Sequence, residues 1–337
     1  MAWSLFTVLT AGAPATPWPL AVVTALRALM GVASAAALPC TSAALAEWVP
    51  AADRGKATAL VYGCFNVGTV LVSLGAPALA AVVGCANTFV FFGGAGFLAA
   101  AVFEAVKPAH RGPAHRAKAA GGATNLRFGR LFERDVVAQI LCLTWAHVVI
   151  GFGFFTLQSW IPLYVSNDLG VTDLRTAGLI AAGPWLATAV AAVGVGSIAD
   201  RLLAKGLPTP RVRQIMMSCA TFSPAACLTL VSFLESGLGA LALLIFAMVF
   251  QAFSYPGFHA YILDVCGDNS GFVLALTNSF GIVAGIVGNI GTGFLVAMTG
   301  NFSVVFRLLA VMYLSSGVMW NLFVKGQKLE LGEAGAQ

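Results

Sequence analysis

Charge is what this sequence has least of. Asp, Glu, Lys and Arg make up only 9% of its 337 residues, and 59% are hydrophobic. A soluble domain carries about 25% charged residues. The shortage excludes an ordinary water-soluble fold and points to an all-α polytopic membrane protein. Metal-ligand spacing is missing as well. The seven cysteines lie mostly inside apolar runs, at spacings that match neither a zinc site nor a disulfide framework, and read as small packing residues. No phosphate-cradling glycine loop, nucleophile–base constellation or metal cluster is found, so an enzyme is not expected, nor any cofactor beyond a coupling Na+ or H+. No signal-peptide pattern precedes the first apolar run.

What is there is a series of ten apolar segments, at roughly 2–13, 20–46, 57–83, 88–106, 136–165, 177–199, 214–234, 238–263, 270–298 and 304–324. About 20 residues cross a bilayer at 1.5 Å of rise each. The first segment is too short to do so, which suggests a helix whose beginning or predecessors are missing.

The net charge of +5 would suit nucleic acid, but its placement indicates orientation in a lipid bilayer instead. Fifteen of the eighteen basic residues fall in 47–56, 107–134, 200–213 and the C-terminal segment; the opposite loops hold Arg175, with Arg307 near that edge. The positive-inside rule puts the first group on the cytosolic side or its equivalent, with both termini there. Residues 107–134 form the one long polar interruption, a basic linker expected on the membrane surface, where His110 and His115 are solvated. The expected divisions are an N-terminal bundle at 1–106, the linker at 107–134, a six-helix bundle at 135–326 and a tail at 327–337.

Polar residues inside the runs are the candidates for function, because such groups face neighbouring helices or a cavity rather than lipid. Arg27 lies about seven residues into its segment, roughly 10 Å deep. A lone cation near mid-membrane costs on the order of 3 kcal/mol on insertion scales. Snorkelling to the interface is one relief; clamping an anion with the guanidinium fork is the other. His147 lies near the middle of its segment, either as a helix–helix hydrogen-bond partner or as a group that binds a proton or an anion. Asn66, Gln158 and Asn278 are polar groups for packing or for the cavity wall, Asn66 and Asn278 on glycine-rich helices. Gly281 and Gly285 begin a small-residue face that serves close packing or rocking of helices, with Gly63 and Gly68 alike in the first half.

The loop Gly196-Ser-Ile-Ala-Asp-Arg201 resembles the G-x-x-x-D-R signature of the major facilitator superfamily, in which Asp200 caps a helix or pairs with Arg. That signature occurs once per half, and here only the second-half copy is present. The resemblance therefore implies two helical bundles with about ten of twelve transmembrane helices, the first two missing. More narrowly, the chain resembles the anion:cation symporter branch, which includes plant plastid-type phosphate transporters, sialin and the vesicular glutamate transporters. The matching stretches include Ala2 to Thr7, Arg27-Ala-Leu-Met-Gly31, Trp48-Val-Pro50 with Asp53-Arg54, Ala59 to Gly63, Ala146-His147, Leu157 to Tyr164, Phe222-Ser-Pro224, Leu276-Thr-Asn278 and Gly285 to Gly288.

The resemblance implies a secondary active, cation-coupled transporter of phosphate or an organic anion, a monomer working by alternating access. Arg27 is the anion binder, Asp200, Arg201, Gly281 and Gly285 the gating set. There are departures. The Glu associated with coupling in the family is Ser34 here, an Arg of some members is Ile150, and the H-x-D before the eleventh helix is reduced to Asp264 with Ile262 at the His position. Coupling then falls to His147 or is lost, with sodium as the competing ion. A truncated, transport-incompetent protein or scaffold of the same fold is the alternative. The host membrane, plastid envelope or plasma membrane, is left open.

Overall fold

The computed structural model describes residues 1–106, 133–167, 174–234 and 237–329. All its regular elements are helical: α1 (Ala2–Thr10), α2 (Pro19–Ser34), α3 (Ala37–Trp48), α4 (Arg54–Val106), α5 (Arg134–Asn167), α6 (Leu174–Ala204), α7 (Thr209–Val231), α8 (Leu238–Gln251), a π turn (Tyr255–His259), α9 (Ala260–Cys266), α10 (Ser270–Thr299) and α11 (Ser303–Phe323). Each of the ten apolar segments is helical. Most of the basic linker, with His110 and His115, lies outside the described residues, as does the tail from 330 on; the side chain of Arg175 is also outside them.

Eight stretches among the described residues are long and apolar enough to cross a membrane. One of them, Ala51–Ala105, has 55 residues. As straight helix it would run about 80 Å, against a hydrocarbon core of about 30 Å. It is interrupted at Gly84, whose φ of 82° and ψ of 160° lie outside the helical region. A positive φ is readily adopted only by a residue without Cβ. The interruption falls between the two segments expected at 57–83 and 88–106. The protein is a multi-pass integral membrane protein. Apolar side chains such as Leu186, Val190, Ile290, Phe294 and Met298 point outward, where hydrocarbon is the solvent that suits them.

By contact the chain forms two compact units, Met1–Leu38 with Leu71–Asn125, and Pro39–Val70 with Leu126–Gln337. In the first, α1 packs on α2 and on the later stretch of α4. A Cβ at Gly93 or Gly96 would collide with Val8 or Ser4, so these glycines let the helices touch. None of the residues of α2 is fully buried.

In the second unit, α10 lies along α5, α11 along α7 and α5, and α8 along α7 and α6. A core of Val149, Leu157, Trp185, Leu228, Leu244, Phe306, Leu309 and Tyr313 fills the space between them. The first stretch of α4, residues 54–70, belongs to this unit because its polar side chains bond to the later helices.

Candidate functional site

The second unit holds two groups of buried polar side chains. The first gathers around the π turn. Pro256 has no N–H to give, so the α-helical ladder is broken there and the chain winds one turn with π geometry. Gly257 lets that turn press on the backbone of Met217: a Cβ would stand 2.9 Å from its nitrogen. The turn then presents Tyr255 and His259 toward α4. The Tyr62 hydroxyl lies 3.0 Å from Nδ1 of His259, and Asn66 Nδ2 donates to the Tyr255 hydroxyl at 2.9 Å. The Tyr62 ring stacks on His259 with centroids 4.1 Å apart and on Tyr255 at 5.0 Å. His147 from α5 stands edge-on to His259 at 5.8 Å and to Phe258 at 5.0 Å, and its Nδ1 lies 3.0 Å from Thr277 Oγ1 on α10.

Asn66, His147 and His259 are 3%, 6% and 8% exposed, so their polar atoms rely on these partners. Of the expected binding residues, Asn66 and His147 thus share one cluster. Gln158 and Asn278 are half-buried on α5 and α10 and take no part in it. Tyr62, Tyr255 and His259 were not singled out by the sequence reading. His259 is one of only four histidines and lies inside an apolar run, a signal available without coordinates. Ile262, where the resemblance looks for histidine, is a fully buried apolar residue; the imidazole enters three positions earlier.

The second group ties the basic end of the unit together. Arg213 of α7 is fully buried and donates from Nε to Asp264 Oδ2 at 2.8 Å and from Nη1 to the Pro256 carbonyl at 3.0 Å. Arg54, at the start of α4, donates to Asp264 Oδ1 at 3.2 Å, and to the carbonyls of Leu263, Ala46 and Val49. Two guanidinium groups therefore share one carboxylate. Asp200 accepts the backbone N–H of Lys56 at 3.2 Å, capping the first turn of α4. Its other oxygen stands beside Gly55, where a Cβ would be 2.8 Å away. Arg201 is exposed and lines an open groove with Asp53, Lys56, Ser197 and Asp200. After α11 the chain returns to this end, with Leu329 N–H on the Val265 carbonyl and Gly326 N–H on the Tyr261 hydroxyl. The expected inner segments 47–56 and 200–213 and the chain beyond α11 thus meet at one end of the unit.

The small-residue face of α10 meets α5. A Cβ at Gly281 would be 3.0 Å from the His147 carbonyl, one at Gly285 would strike the Phe155 ring, and Gly151 opposes the backbone of Gly281. Gly63 similarly abuts Ala192, whereas Gly68 has open space beside it, so the expected parallel holds for Gly63 alone.

Arg27 belongs to the first unit. Its guanidinium lies 5.1 Å from the centroid of the Phe89 ring and reaches the Met30 sulfur at 3.5 Å. A ring face and a thioether are weak partners for a group with five N–H donors. Among the described residues no carboxylate pairs with it. Ser34, in the place of the family's Glu, ends α2 and bonds back to the Gly31 carbonyl.

Comparison with known proteins agrees with this architecture. A family model described as the Major Facilitator Superfamily matches residues 1–288. Probable anion transporter 1, chloroplastic, of Oryza sativa subsp. japonica is 32% identical over 338 residues, covering 97% of this chain and 63% of that protein. Sodium-dependent phosphate transport protein 1, chloroplastic, of Arabidopsis thaliana is 30% identical over 340 residues, covering 97% and 65%. The chain spans less than two thirds of the length of these two relatives. Among solved structures, the proton:xylose symporter XylE superposes with a TM-score of 0.73 at 16% identity, over 98% of this chain and 81% of that one. The human organic anion transporter MFSD10 gives 0.70 at 16%, over 94% and 75%. At such identity these two likenesses concern the fold.

Proposed function

Because the chain belongs to the Major Facilitator Superfamily, we propose that it is a secondary active transporter, moving phosphate or an organic anion by alternating access and driven by a cation gradient. The observation that carries this reading is Arg27: a guanidinium inside an apolar helix, faced by an aromatic ring and a thioether, with no carboxylate partner among the described residues. Such a group is expensive to keep in a membrane unless an anion visits it. The relatives, a probable chloroplastic anion transporter and a chloroplastic sodium-dependent phosphate transport protein, support the same cargo and a plastid envelope.

In this reading Arg27 of the first unit binds the anion, and His147, Asn66, Gln158 and Asn278 are the candidate binding residues of the second unit. The cap from Asp200 to α4, with Arg201 beside it, is made and released as the inner end closes and opens. Gly281 and Gly285 let α10 slide on α5. The working unit is a monomer of two bundles, at 1–106 and 135–326.

The test is tracer uptake by the protein reconstituted into liposomes, with phosphate and a dicarboxylate as competing solutes. Gradient-driven accumulation that Arg27→Lys weakens and Arg27→Ala abolishes is the expected result. Equal uptake by Arg27→Ala removes Arg27 from the site, and no uptake under any gradient favours a non-transporting scaffold.

A further inference from the structure

We propose that His147 and His259 form a binding site for one transported proton, accepted at Nε2 of His147; this rests on the transporter reading above. The acceptor follows from Thr277. Its Oγ1 lies 3.0 Å from the Val273 carbonyl, 3.3 Å from the Leu274 carbonyl and 3.0 Å from His147 Nδ1. A hydroxyl has a single hydrogen, and a carbonyl has none to offer. All these contacts are satisfied together only when Thr277 donates to its own helix and accepts from His147. The neutral ring then carries its proton on Nδ1, and its basic lone pair is at Nε2.

His259 supplies the second base. Its Nδ1 is engaged by the Tyr62 hydroxyl, and its ring is held between Tyr62 and the edge of His147. Two imidazolium ions with centroids 5.8 Å apart repel, so the pair holds one proton at a time and titrates as a unit. The groups facing the pair are few. Tyr62 comes from α4, Tyr255 and Phe258 from the π turn, and Thr277 and Gly281 from α10. Arg213 of α7 reaches only as far as the Pro256 carbonyl and is paired with Asp264.

Hard cations prefer a shell of carboxylate, carbonyl and water oxygens. This cluster offers two imidazoles, two phenols and one amide, that of Asn66, but no carboxylate among the described residues, and the Thr277 hydroxyl is already committed. A proton suits it. When bound, the proton adds one positive charge with no bond broken elsewhere. Any anion whose binding that charge favours must by reciprocity favour the proton, which is the linkage a symporter requires.

Two measurements test this. In 15N-histidine-labelled protein in lipid, with signals assigned through His147→Asn and His259→Asn, His147 should appear as the Nδ1–H tautomer at alkaline pH. On acidification the pair should take up one proton, and Thr277→Val should abolish the tautomer preference. An Nε2–H tautomer at His147, or two charged rings at once, overturns the proposal.

In liposomes an inward proton gradient should raise phosphate accumulation roughly tenfold, within the range usual for coupled sites. A sodium gradient should not replace it, and His147→Gln or His259→Gln should lose the gain. A sodium-driven gain that survives both substitutions overturns the proposal. Failure of uptake under every gradient sinks the cargo reading instead, and the spectra then decide the proton site by themselves.

Discussion

Arg213 and Asp264 show how much depends on single side chains. A fully buried guanidinium is tolerable because a carboxylate and a carbonyl both receive it. Removing Asp264 leaves Arg213 charged and without a carboxylate in a dry setting, which costs about 3–5 kcal/mol, whereas removing Arg213 leaves Asp264 still paired with Arg54. Asp264→Ala is therefore expected to lower the unfolding midpoint in detergent far more than Arg201→Ala, whose side chain is exposed. Asp200 acts on a smaller scale, through one capping bond to Lys56. Asp200→Asn keeps an oxygen for that N–H, whereas Asp200→Ala loses about 1 kcal/mol. The same unfolding assay should rank Ala below Asn.

Two features belong to whole elements. The face between α5 and α10 works because glycines let backbones meet, but the two sides differ in what an added methyl would strike. At Gly151 it meets the backbone of Gly281, which cannot turn aside; at Gly285 it meets the Phe155 ring, which can. Overpacking costs about 1–3 kcal/mol, so Gly151→Ala should fall at the upper end and Gly285→Ala at the lower, measured by thermal unfolding. The π turn is the other. Restoring an N–H with Pro256→Ala removes the obstacle to α-geometry and should rewind the segment, shifting Tyr255 and His259 out of register with Asn66 and Tyr62. Uptake should drop roughly tenfold or more while the protein still folds, because a misplaced reacting group is costly even when the core survives.

At the scale of the whole molecule, charge placement is expected to set the orientation in the bilayer, and within the second unit the basic segments share one end. Lys56 meets Asp200, Arg54 and Arg213 meet Asp264, and Leu329 meets Val265, all at one end of the second unit, while Arg307 lies by Ser232 and Phe233 away from them. In a cysteine-free background, single cysteines at positions 53 and 205 should react with an impermeant reagent only from the basic side, and one at position 237 only from the other. Labelling of both groups from the same side would contradict the assignment.

The apolar spans, the basic end and Arg27 could be read from the chain alone because each follows from local composition: hydrocarbon solvation acts residue by residue and needs no partner. Gly281 and Gly285 were legible through spacing, and His147 and Asn66 as polar residues in apolar runs. Which of them meet was not legible. Tyr62 and His259 are separated by 197 positions, and their bond exists because Pro256 diverts one helix into a π turn while α4 brings its first stretch alongside. Asp264 likewise gained two arginines from distant helices. Composition determined that this chain lives in a membrane and which end is basic. Only packing, which pairs groups far apart in sequence, decided that a histidine pair rather than a lone histidine sits in the buried polar cluster of the second unit.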